Sequence, residues 1–570
     1  MKANKVPDFT LSYIFVFTEL LLKVRSINLM KSKSGENRTE HHTNRYHGDD
    51  FVIRRGQNFQ LWITLSRPFN PNTDKLHLEL KTGPLPTVSK ETHVIIPLVE
   101  ALEGNRWEAA VVAQDDKRLN LSVNSSPSAV IGRYQLTVET NCANGPASFT
   151  ADPANDIYML FNPWCEGDTV FMDSEDVRQE YVLNDVGRIY YGTENQIGAR
   201  TWNYGQFDNG ILAACLYILE KSGTLPSGWG DSVNVVRIIS AMVNSPDDQG
   251  VLEGNWSGDY SGGTSPTAWS GSVEILKAYH KNKGSPVKYG QCWVFAGVVT
   301  TVLRCLGIPC RPVTNFNSAH DTDVSLTTDV YLDENLEPID HLNADSIWNF
   351  HVWNDCWMAR PDLPPGNGGW QAVDATPQET SQGSYRCGPA SLAAVRNGQV
   401  YLKYDCPFVF AEKNANGTFT QIYSEKKTVG HYISTKAVGS DERNDITDLY
   451  KYPEGIPEQN AHTDIITDHQ PLSKKFFINH SATFFNVMFF AMFLDTETAL
   501  DWSLEYKDYK DQLVDQAALM LTLSGRVRET QQVQATQFSF RLRTPDLIIK
   551  ASKTAHQENT ALLIRRLCNR

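Results

Sequence analysis

The stretch YGQCWVFAGVVTTVLRCLGIPCRPV (residues 289–313) carries the strongest local signal in the chain. Apolar residues lie on nearly all sides of CWVFAGVVTTVLRCLG, which predicts a buried helix that begins at Cys292, ends at Gly307 and is followed by Pro309. A thiol in the first helical turn lies near free N–H groups and the positive end of the helix dipole, which favour the thiolate. Cys292 is therefore a candidate nucleophile, and a buried core cysteine is the alternative.

A thiol nucleophile needs a base, and the base needs an acceptor that orients it. The run WNFHVWND (residues 348–355) places His351 in a predicted strand. GGWQAVDATPQE (residues 368–379) places Asp374 at the end of another strand, just before a turn. The turn-rich segment between these runs predicts that the two strands are neighbours, which would bring His351 and Asp374 together. A structural histidine and a turn-capping aspartate are the alternatives.

Composition limits the class of protein. The chain has 570 residues, of which 41% are apolar, and a net charge of −14, which argues against nucleic acid as a partner. Its 10 cysteines form no C-x-x-C pair and no zinc-finger spacing. This usage suits a reducing compartment, so we expect a cytoplasmic protein, with a membrane-peripheral position or secretion as alternatives. The apolar stretch Phe9 to Leu22 is too short to span a bilayer.

Hydrophobic patterning divides the chain into four parts. Residues 1–48 are predicted to form an N-terminal arm and linker, because residues 31–48 are polar and charged. Short alternating runs predict a β-sandwich over residues 49–156. Helical patterns followed by strand-like runs predict an α+β domain over residues 157–471, and strands return in residues 472–570.

The blocks around the three candidate residues resemble the active-site blocks of the transglutaminase family. They are YGQCWVFAGV, WNFHVWNDCW and GGWQAVDATPQE, and the resemblance extends from about Glu40 to Glu454. The variants in residues 178–207 and 341–358 most resemble the keratinocyte (type 1) branch, with the factor XIII A branch next. The resemblance implies an α+β multidomain fold with an immunoglobulin-like β-sandwich, a papain-like catalytic core and a C-terminal β-barrel. Only the second half of one barrel is recognisable here, so we expect a truncated barrel.

The resemblance also implies roles for individual residues. Cys292 would attack a glutamine side-chain amide, His351 would transfer protons, and Asp374 would orient His351. Trp256 would donate its indole N–H to the oxyanion, and Trp348 would line the channel for the lysine amine, whereas core packing is the alternative for both. A barrel tyrosine would cover the cysteine in the resting enzyme. Tyr509 is the nearest match for it, with Tyr506 as the alternative.

Calcium is the cofactor that the resemblance implies. Two loops, AMVNSPDDQG (residues 241–250) and HDTDVSLTTD (residues 320–329), are rich in oxygen ligands, although polar loops or strand faces would look the same. The family pattern maps onto ligands at Ala241 and Pro246 (carbonyls), Asn244, Asp248, Asp321, Asp323, Ser325, Thr327, Asp345, Asn414, Glu454 and Glu458. The last three belong to a third site that has lost expected carboxylates, so we expect it to bind calcium weakly.

The function that the resemblance implies is calcium-dependent protein cross-linking through a cysteine thioester. The expected partners are proteins that bear glutamine and lysine side chains, or small primary amines. The first cysteine is Cys142, so the acylated N-terminal cysteine cluster of the keratinocyte branch is absent from this sequence, and membrane association rests on the family alone. The alternatives are an inactive structural homologue and a thiol peptidase.

Overall fold

The fold is taken from a computed structural model. It describes residues 21–320, 327–331, 343, 345–377, 379–399, 402–405, 411–415, 421–425, 429–452, 500–506, 519–527 and 533–540. Two compact units are present, residues 1–476 and residues 477–570. Among the helices in these described ranges, none has the length and apolarity that crossing a membrane requires.

The N-terminal part of the first unit is a β-sandwich. Its strands are β1 (Val24–Asn28), β2 (Phe51–Arg54), β3 (Phe59–Leu65), β4 (Lys75–Lys81), β5 (His93–Val99), β6 (Glu108–Asp115), β7 (Arg118–Asn124), β8 (Gly132–Cys142), β9 (Gly145–Phe149) and β10 (Ile157–Leu160). The strand order is β1-β3-β7-β6-β5-β4-β8-β10-β2, with β9 on β8. Strand β3 alternates between buried and half-buried residues along its whole length, as a strand with one core-facing side should.

The boundaries of the sandwich differ from the sequence prediction at both ends. Strand β1 and helix α1 (Glu36–Glu40) lie within residues 1–48, which were expected to form an arm and linker. Strand β1 pairs with β3, and α1 buries Asn37 and Arg38. At the other end, β10 pairs with β2 and β8, so the sandwich extends beyond residue 156. The predicted arm and the predicted start of the core therefore both contribute strands to this sheet.

The core domain combines helices with a six-stranded sheet. Its helices are α2 (Glu175–Arg178), α3 (Ile211–Lys221), α4 (Ser232–Met242), α5 (Val273–Lys281), α6 (Cys292–Leu306), α7 (Leu392–Arg396) and α8 (Thr447–Tyr450). Its strands are β11 (Val186–Thr193), β12 (Gln196–Asn203), β13 (Leu252–Gly254), β14 (Val287–Gly290), β15 (Cys310–His320), β16 (Thr327–Tyr331), β17 (Ser346–Met358), β18 (Gly369–Asp374), β19 (Cys387–Ser391), β20 (Ala411–Ala415), β21 (Gln421–Glu425), β22 (His431–Lys436) and β23 (Arg443–Asp445).

Helix α6 is the centre of this core. Every one of its residues is buried, and it packs against β15 and β17 of the sheet ordered β19-β18-β17-β15-β22-β23. Gly307 ends the helix in the left-handed conformation at φ 96°, which glycine adopts without strain. The predicted helix that begins at Cys292 and ends before Gly307 is therefore confirmed.

The second unit contains three described strands, β24 (Leu500–Tyr506), β25 (Leu519–Val527) and β26 (Val533–Phe540). They form an antiparallel sheet in the order β24-β25-β26. Tyr509 lies outside the described residues, and of Tyr506 only the strand backbone is described. The prediction that a barrel tyrosine covers Cys292 therefore stays a prediction.

Candidate active site

The thiol of Cys292 lies in the first turn of α6. Gln291 caps the helix in an extended conformation, so Cys292 is the first helical residue, and Cys292 is only 4% exposed. Strand β14 leads into this turn and ends at Gly290, where close packing leaves little room for a side chain. A Cβ on Gly290 would lie 2.9 Å from Cε2 of Phe295. The thiol is thus held at the positive end of a buried helix.

His351 and Asp374 come together across two antiparallel strands. Strand β17 carries His351 and β18 ends at Asp374, with Asn354 opposite Val373 and Met358 opposite Gly369. Nε2 of His351 lies 2.6 Å from Oδ2 of Asp374, and both side chains are buried. The structure therefore joins the two residues through neighbouring strands, as the turn-rich segment between them predicts.

The carboxylate of Asp374 is itself held in place. Its Oδ1 accepts hydrogen bonds from the backbone N–H of Thr376 at 2.8 Å and from the Thr376 hydroxyl at 3.2 Å. This leaves Oδ2 for the imidazole. A base oriented by a fixed acceptor is the arrangement that an activated thiol requires.

The other ring nitrogen of His351, Nδ1, is not bonded to Asp374. It is buried and has no hydrogen-bond partner among the described residues, while Cys292 lies close enough for its charge to act on the ring. Burial lowers the pKa of His351, but Asp374 and Cys292 outweigh burial and raise it to about 10. The histidine is therefore an imidazolium at neutral pH and can protonate a leaving group.

Trp256 follows strand β13 and reaches the same helix end. The backbone N–H of Asn255 donates to the carbonyl of Gly290 at 3.1 Å, and Nε2 of Gln291 donates to the carbonyl of Asn255 at 2.9 Å. These bonds tie the Trp256 loop to the residues just before Cys292. The indole packs over Gly254, where a Cβ would lie 2.5 Å from Cζ3 of Trp256, and the side chain is 51% exposed.

Trp348 stands on the same strand as the base. Its ring centroid is 6.1 Å from that of His351 in an edge-to-face arrangement, and its Nε1 donates to Oγ of Ser346 at 3.2 Å. The side chain is half-buried. Trp256 and Trp348 are thus both brought to the Cys292–His351 pair, one from the loop after β13 and the other from β17.

The structure also brings residues to this site that the sequence analysis missed. The most prominent is Arg200 of β12, whose guanidinium carbon lies 4.4 Å from the ring centroid of Trp293, the residue after Cys292. Behind the base, the Trp353 ring centroid is 5.8 Å from that of His351. His351, Trp353 and Asp355 occupy alternate positions of β17, and this period of two was a usable sequence signal. No local pattern marked Arg200.

The first oxygen-rich loop follows helix α4. The amide nitrogen of Asn244 donates to the carbonyls of Ser240, Ala375 and Tyr385 at 3.3, 3.1 and 2.5 Å. Its Oδ1 is buried and accepts no hydrogen bond from any described group. An orphaned buried oxygen that is held so firmly needs an electropositive partner.

Two carboxylates lie in the same loop, at Asp247 and Asp248. Burial and the neighbouring Asp247 raise the pKa of Asp248 to about 6, and Asp247 accepts a hydrogen bond from the N–H of Tyr385 at 3.0 Å. The carbonyl of Ala241 receives the N–H of Asn244 at 3.3 Å, and Pro246 is exposed in the loop. Oxygen ligands of this kind suit Ca²⁺. Within the described residues, no group of three acidic, histidine or cysteine side chains could by itself hold a metal.

The remaining predicted calcium ligands are only partly described. Asp345 is half-buried just before β17, and the backbones of Thr327 and Asn414 lie in the paired strands β16 and β20. The residues outside the described ranges are Asp321, Asp323, Ser325, Glu454 and Glu458. The second and third predicted sites therefore stay predictions.

Comparisons with known proteins place the chain in a family. A transglutaminase family profile matches residues 25–141, and a transglutaminase-like superfamily profile matches residues 258–375, which include Cys292, His351 and Asp374. Human protein-glutamine gamma-glutamyltransferase K is 50% identical over a gapped alignment of 590 positions, which covers 93% of this chain and 72% of that protein. The chain belongs to the transglutaminase family.

Other relatives agree with this assignment. The A chain of human coagulation factor XIII is 40% identical to this transglutaminase, over 94% of this chain and 81% of that one. The crystal structure of red sea bream transglutaminase matches with a TM-score of 0.69 and 33% identity, over 91% of this chain and 77% of that chain. The predicted multidomain α+β fold and the resemblance to the keratinocyte branch are confirmed.

Proposed function

We propose that this transglutaminase is a protein-glutamine gamma-glutamyltransferase. It transfers the acyl group of a glutamine side chain to a lysine amine or a small primary amine and releases ammonia. The observation that carries the proposal is the buried set in which Asp374 holds Nε2 of His351 at 2.6 Å while Nδ1 is left for the thiol of Cys292. The similarity to human protein-glutamine gamma-glutamyltransferase K, whose name states the same chemistry, supports the proposal.

The first half-reaction acylates the cysteine. The Cys292 thiolate attacks the carbon of the glutamine carboxamide, and the carbonyl oxygen takes up the negative charge. The backbone N–H of Cys292 and the indole N–H of Trp256 are the candidate donors to this oxyanion. When the C–N bond breaks, the His351 imidazolium gives its proton to the leaving nitrogen, which departs as ammonia. A thioester on Cys292 and a neutral His351 remain.

The second half-reaction transfers the acyl group to an amine. The amine nitrogen attacks the thioester carbon, and neutral His351 accepts the proton that the nitrogen loses. The C–S bond then breaks, the isopeptide bond is complete, and the thiolate and imidazolium are restored. Trp348 stands edge-to-face beside His351 and is positioned to line the amine's path and to limit the access of water, which would otherwise hydrolyse the thioester.

Calcium is the ion we propose for the first oxygen-rich loop. The residues fit it, because the orphaned Oδ1 of Asn244 and the carboxylates of Asp247 and Asp248 form a hard-oxygen donor set. Carbonyls of Ala241 and Pro246 are further candidate ligands. When bound, Ca²⁺ would supply the positive charge that these oxygens lack. Nδ2 of Asn244 also donates to the carbonyl of Ala375, the residue after Asp374, so this loop is directly connected to the catalytic strand β18.

The test is incorporation of a fluorescent primary amine into casein in the presence of calcium. We expect transfer by the full chain, none by Cys292→Ala, and wild-type transfer by the matched control Cys142→Ser in the sandwich. Cleavage of casein backbone without amine incorporation would instead indicate a thiol peptidase. A folded protein that shows neither activity would be an inactive structural homologue, and the proposal would be wrong.

A further inference from the structure

Arg200 is held beside the reactive cysteine by two aromatic rings. It lies on β12, which pairs with β11 as a hairpin, and Ile189 stands opposite it in the register. The guanidinium carbon is 4.5 Å from the ring centroid of Tyr191 and 4.4 Å from that of Trp293. Trp293 is the second residue of α6 and directly follows Cys292. The cation is therefore fixed next to the helix start by contacts that leave its charge unneutralised.

This cation has no carboxylate partner among the described residues. The Arg200 guanidinium makes no hydrogen bond or ion pair there, and its Nε is buried without an acceptor. Arg188, on the opposing strand, is different, because it pairs with Asp441 at 2.8 Å. A half-buried guanidinium without a partner is unfavourable. Burial lowers the pKa of Arg200 below its ordinary value, and the negative charges that Tyr191 and Cys292 can carry offset this effect only in part.

The charges around the thiol explain why such a cation would be useful. A Cys292 thiolate, a His351 imidazolium and an Asp374 carboxylate together carry one net negative charge in a buried site. Nearby, Lys288 of β14 and Glu253 of β13 neutralise each other at 3.4 Å. Because this ion pair carries no net charge, Arg200 is the nearby cation that can balance the net negative charge of Cys292, His351 and Asp374.

Two phenols lie in the same region. The hydroxyl of Tyr260 accepts a hydrogen bond from Nε2 of Gln291 at 3.1 Å, and the ring of Tyr191 packs against the Arg200 guanidinium. Further along β17, Asp355 pairs with Arg311 at 3.0 Å, so that pair adds no net charge.

We infer that Arg200 is a positioning residue that supplies the counter-charge for the ionised Cys292–His351–Asp374 set and thereby keeps Cys292 as a thiolate. The inference rests on the proposed function only in taking Cys292 as the nucleophile. It adds a residue from the β11–β12 hairpin, to which the sequence analysis assigned no role. Arg200 need not touch the substrate, because a unit charge acts over several ångströms in a half-buried site.

The experiment measures alkylation of Cys292 by iodoacetamide in the full chain between pH 5 and 9, with mass spectrometry of the peptide that contains it. Arg200→Gln should move the midpoint of the rate profile to higher pH and slow alkylation at pH 6 about tenfold, which corresponds to about one pH unit. Arg200→Lys should stay close to wild type because it keeps the charge. Arg188→Gln is the matched control, since Arg188 lies on the same hairpin and pairs with Asp441.

A second charge-removing variant keeps the test decisive if Arg200→Gln does not fold. Arg200→Met retains a long, unbranched side chain between the two rings and should show the same shift. If a folded Arg200→Gln or Arg200→Met variant follows the wild-type profile, or if Arg188→Gln shifts equally, the inference is overturned. A changed KM for a glutamine peptide with an unchanged alkylation profile would also overturn it and make Arg200 a substrate contact. If the wild type fails to transfer amines but the Cys292 alkylation profiles shift with the Arg200 charge as expected, only the proposed function is contradicted.

Discussion

The indole N–H of Trp353 donates a 2.8 Å hydrogen bond to the hydroxyl of Tyr450, and both side chains are buried behind His351. The Tyr450 hydroxyl in turn donates to Asp355, which pairs with Arg311 at 3.0 Å. A chain of buried polar groups thus runs from α8 through β17 to β15. It fixes the strand that carries the catalytic base, since each member depends on the next for its hydrogen bond.

Removing one hydroxyl from this chain should destabilise the protein. Tyr450→Phe leaves the Trp353 N–H without an acceptor and one Asp355 oxygen without a donor, at a cost of about 1–3 kcal/mol in the free energy of unfolding. Urea unfolding of the catalytic core measures it. Tyr432→Phe is the control, because Tyr432 is 47% exposed. Equal stability of the two variants would show that the Tyr450 hydroxyl is dispensable.

The Asp374 carboxylate should matter for catalysis through its bond to His351. Asp374→Asn keeps the size of the side chain but cannot stabilise an imidazolium, so kcat should fall by about 10⁴. Amine incorporation measures the rate, and alkylation of Cys292 in the same variant should slow as well. Near-normal kcat in Asp374→Asn would mean that the 2.6 Å contact is structural only.

Trp256 is the residue that we expect to act on the oxyanion. Trp256→Ala should lower kcat by about 10²–10³, the usual loss for one such donor. Trp256→Tyr should retain more activity, because a phenol can still donate a hydrogen bond. Trp269→Phe is a useful comparison, since Trp269 donates to the carbonyl of Tyr289 at 2.9 Å and not to the substrate. The oxyanion role is disproved by wild-type kcat in both Trp256 variants.

The raised pKa of His351 predicts a pH-dependent stability. Because the pKa rises from its ordinary value of 6.5 to about 10 in the folded protein, the imidazolium's pairing stabilises the fold fully below pH 6.5. This contribution is lost as the pH rises through about 10. The difference in urea midpoint between the wild type and His351→Gln should therefore shrink from pH 6.5 to pH 10. A constant difference would contradict an ionised histidine in the folded protein.

The raised pKa of Asp248 predicts a link between protons and calcium. Folding raises this pKa from its ordinary 3.8 to about 6, so the stabilising contribution of the protonated group is present below pH 3.8 and lost as the pH rises through about 6. When a chelator removes calcium, the free energy of unfolding of the wild type should therefore fall relative to that of Asp248→Asn between pH 4 and pH 6. At pH 7, added calcium should make the wild type the more stable of the two proteins, because calcium binds the wild type more tightly.

Two controls belong to the calcium experiment. The thermal midpoint of Asp116→Asn, an exposed turn residue, should follow the wild type with and without calcium. Proton release on calcium addition should be measurable at pH 6 and small at pH 8, where Asp248 is already ionised. If calcium raises the thermal midpoints of wild type and Asp248→Asn equally, the first loop is not a calcium site.

Local sequence patterns were sufficient to locate the nucleophile. The apolar run that starts at Cys292 and stops before Gly307 predicts a buried helix. The run itself shows where the helix begins, how long it is and which glycine ends it. The turn-rich segment between His351 and Asp374 likewise made two neighbouring strands the simplest arrangement. The motifs that carry the family resemblance therefore lie where local patterns already indicate the structure.

Local polarity led to a wrong prediction for the N-terminal 48 residues, which contribute a strand and a helix to the first unit. Residues 31–48 read as a solvated linker, yet Arg38 is fully buried and donates to the carbonyls of Thr43 at 2.8 Å, Tyr46 at 2.7 Å and Gly48 at 3.0 Å. From the local sequence alone, a buried arginine whose donors are satisfied by backbone carbonyls cannot be distinguished from an exposed arginine.

The sequence by itself determined the thiol, its helix and the strands that carry its base and acceptor, because these depend on short-range periodicity and turns. Only the tertiary structure decided which charges and oxygens surround them. Arg200 reaches the helix start through a hairpin distant in sequence, and Oδ1 of Asn244 is orphaned because three carbonyls from α4, the loop after β18 and the loop before β19 hold its amide nitrogen. Such relationships arise from packing between remote segments, which no local pattern records.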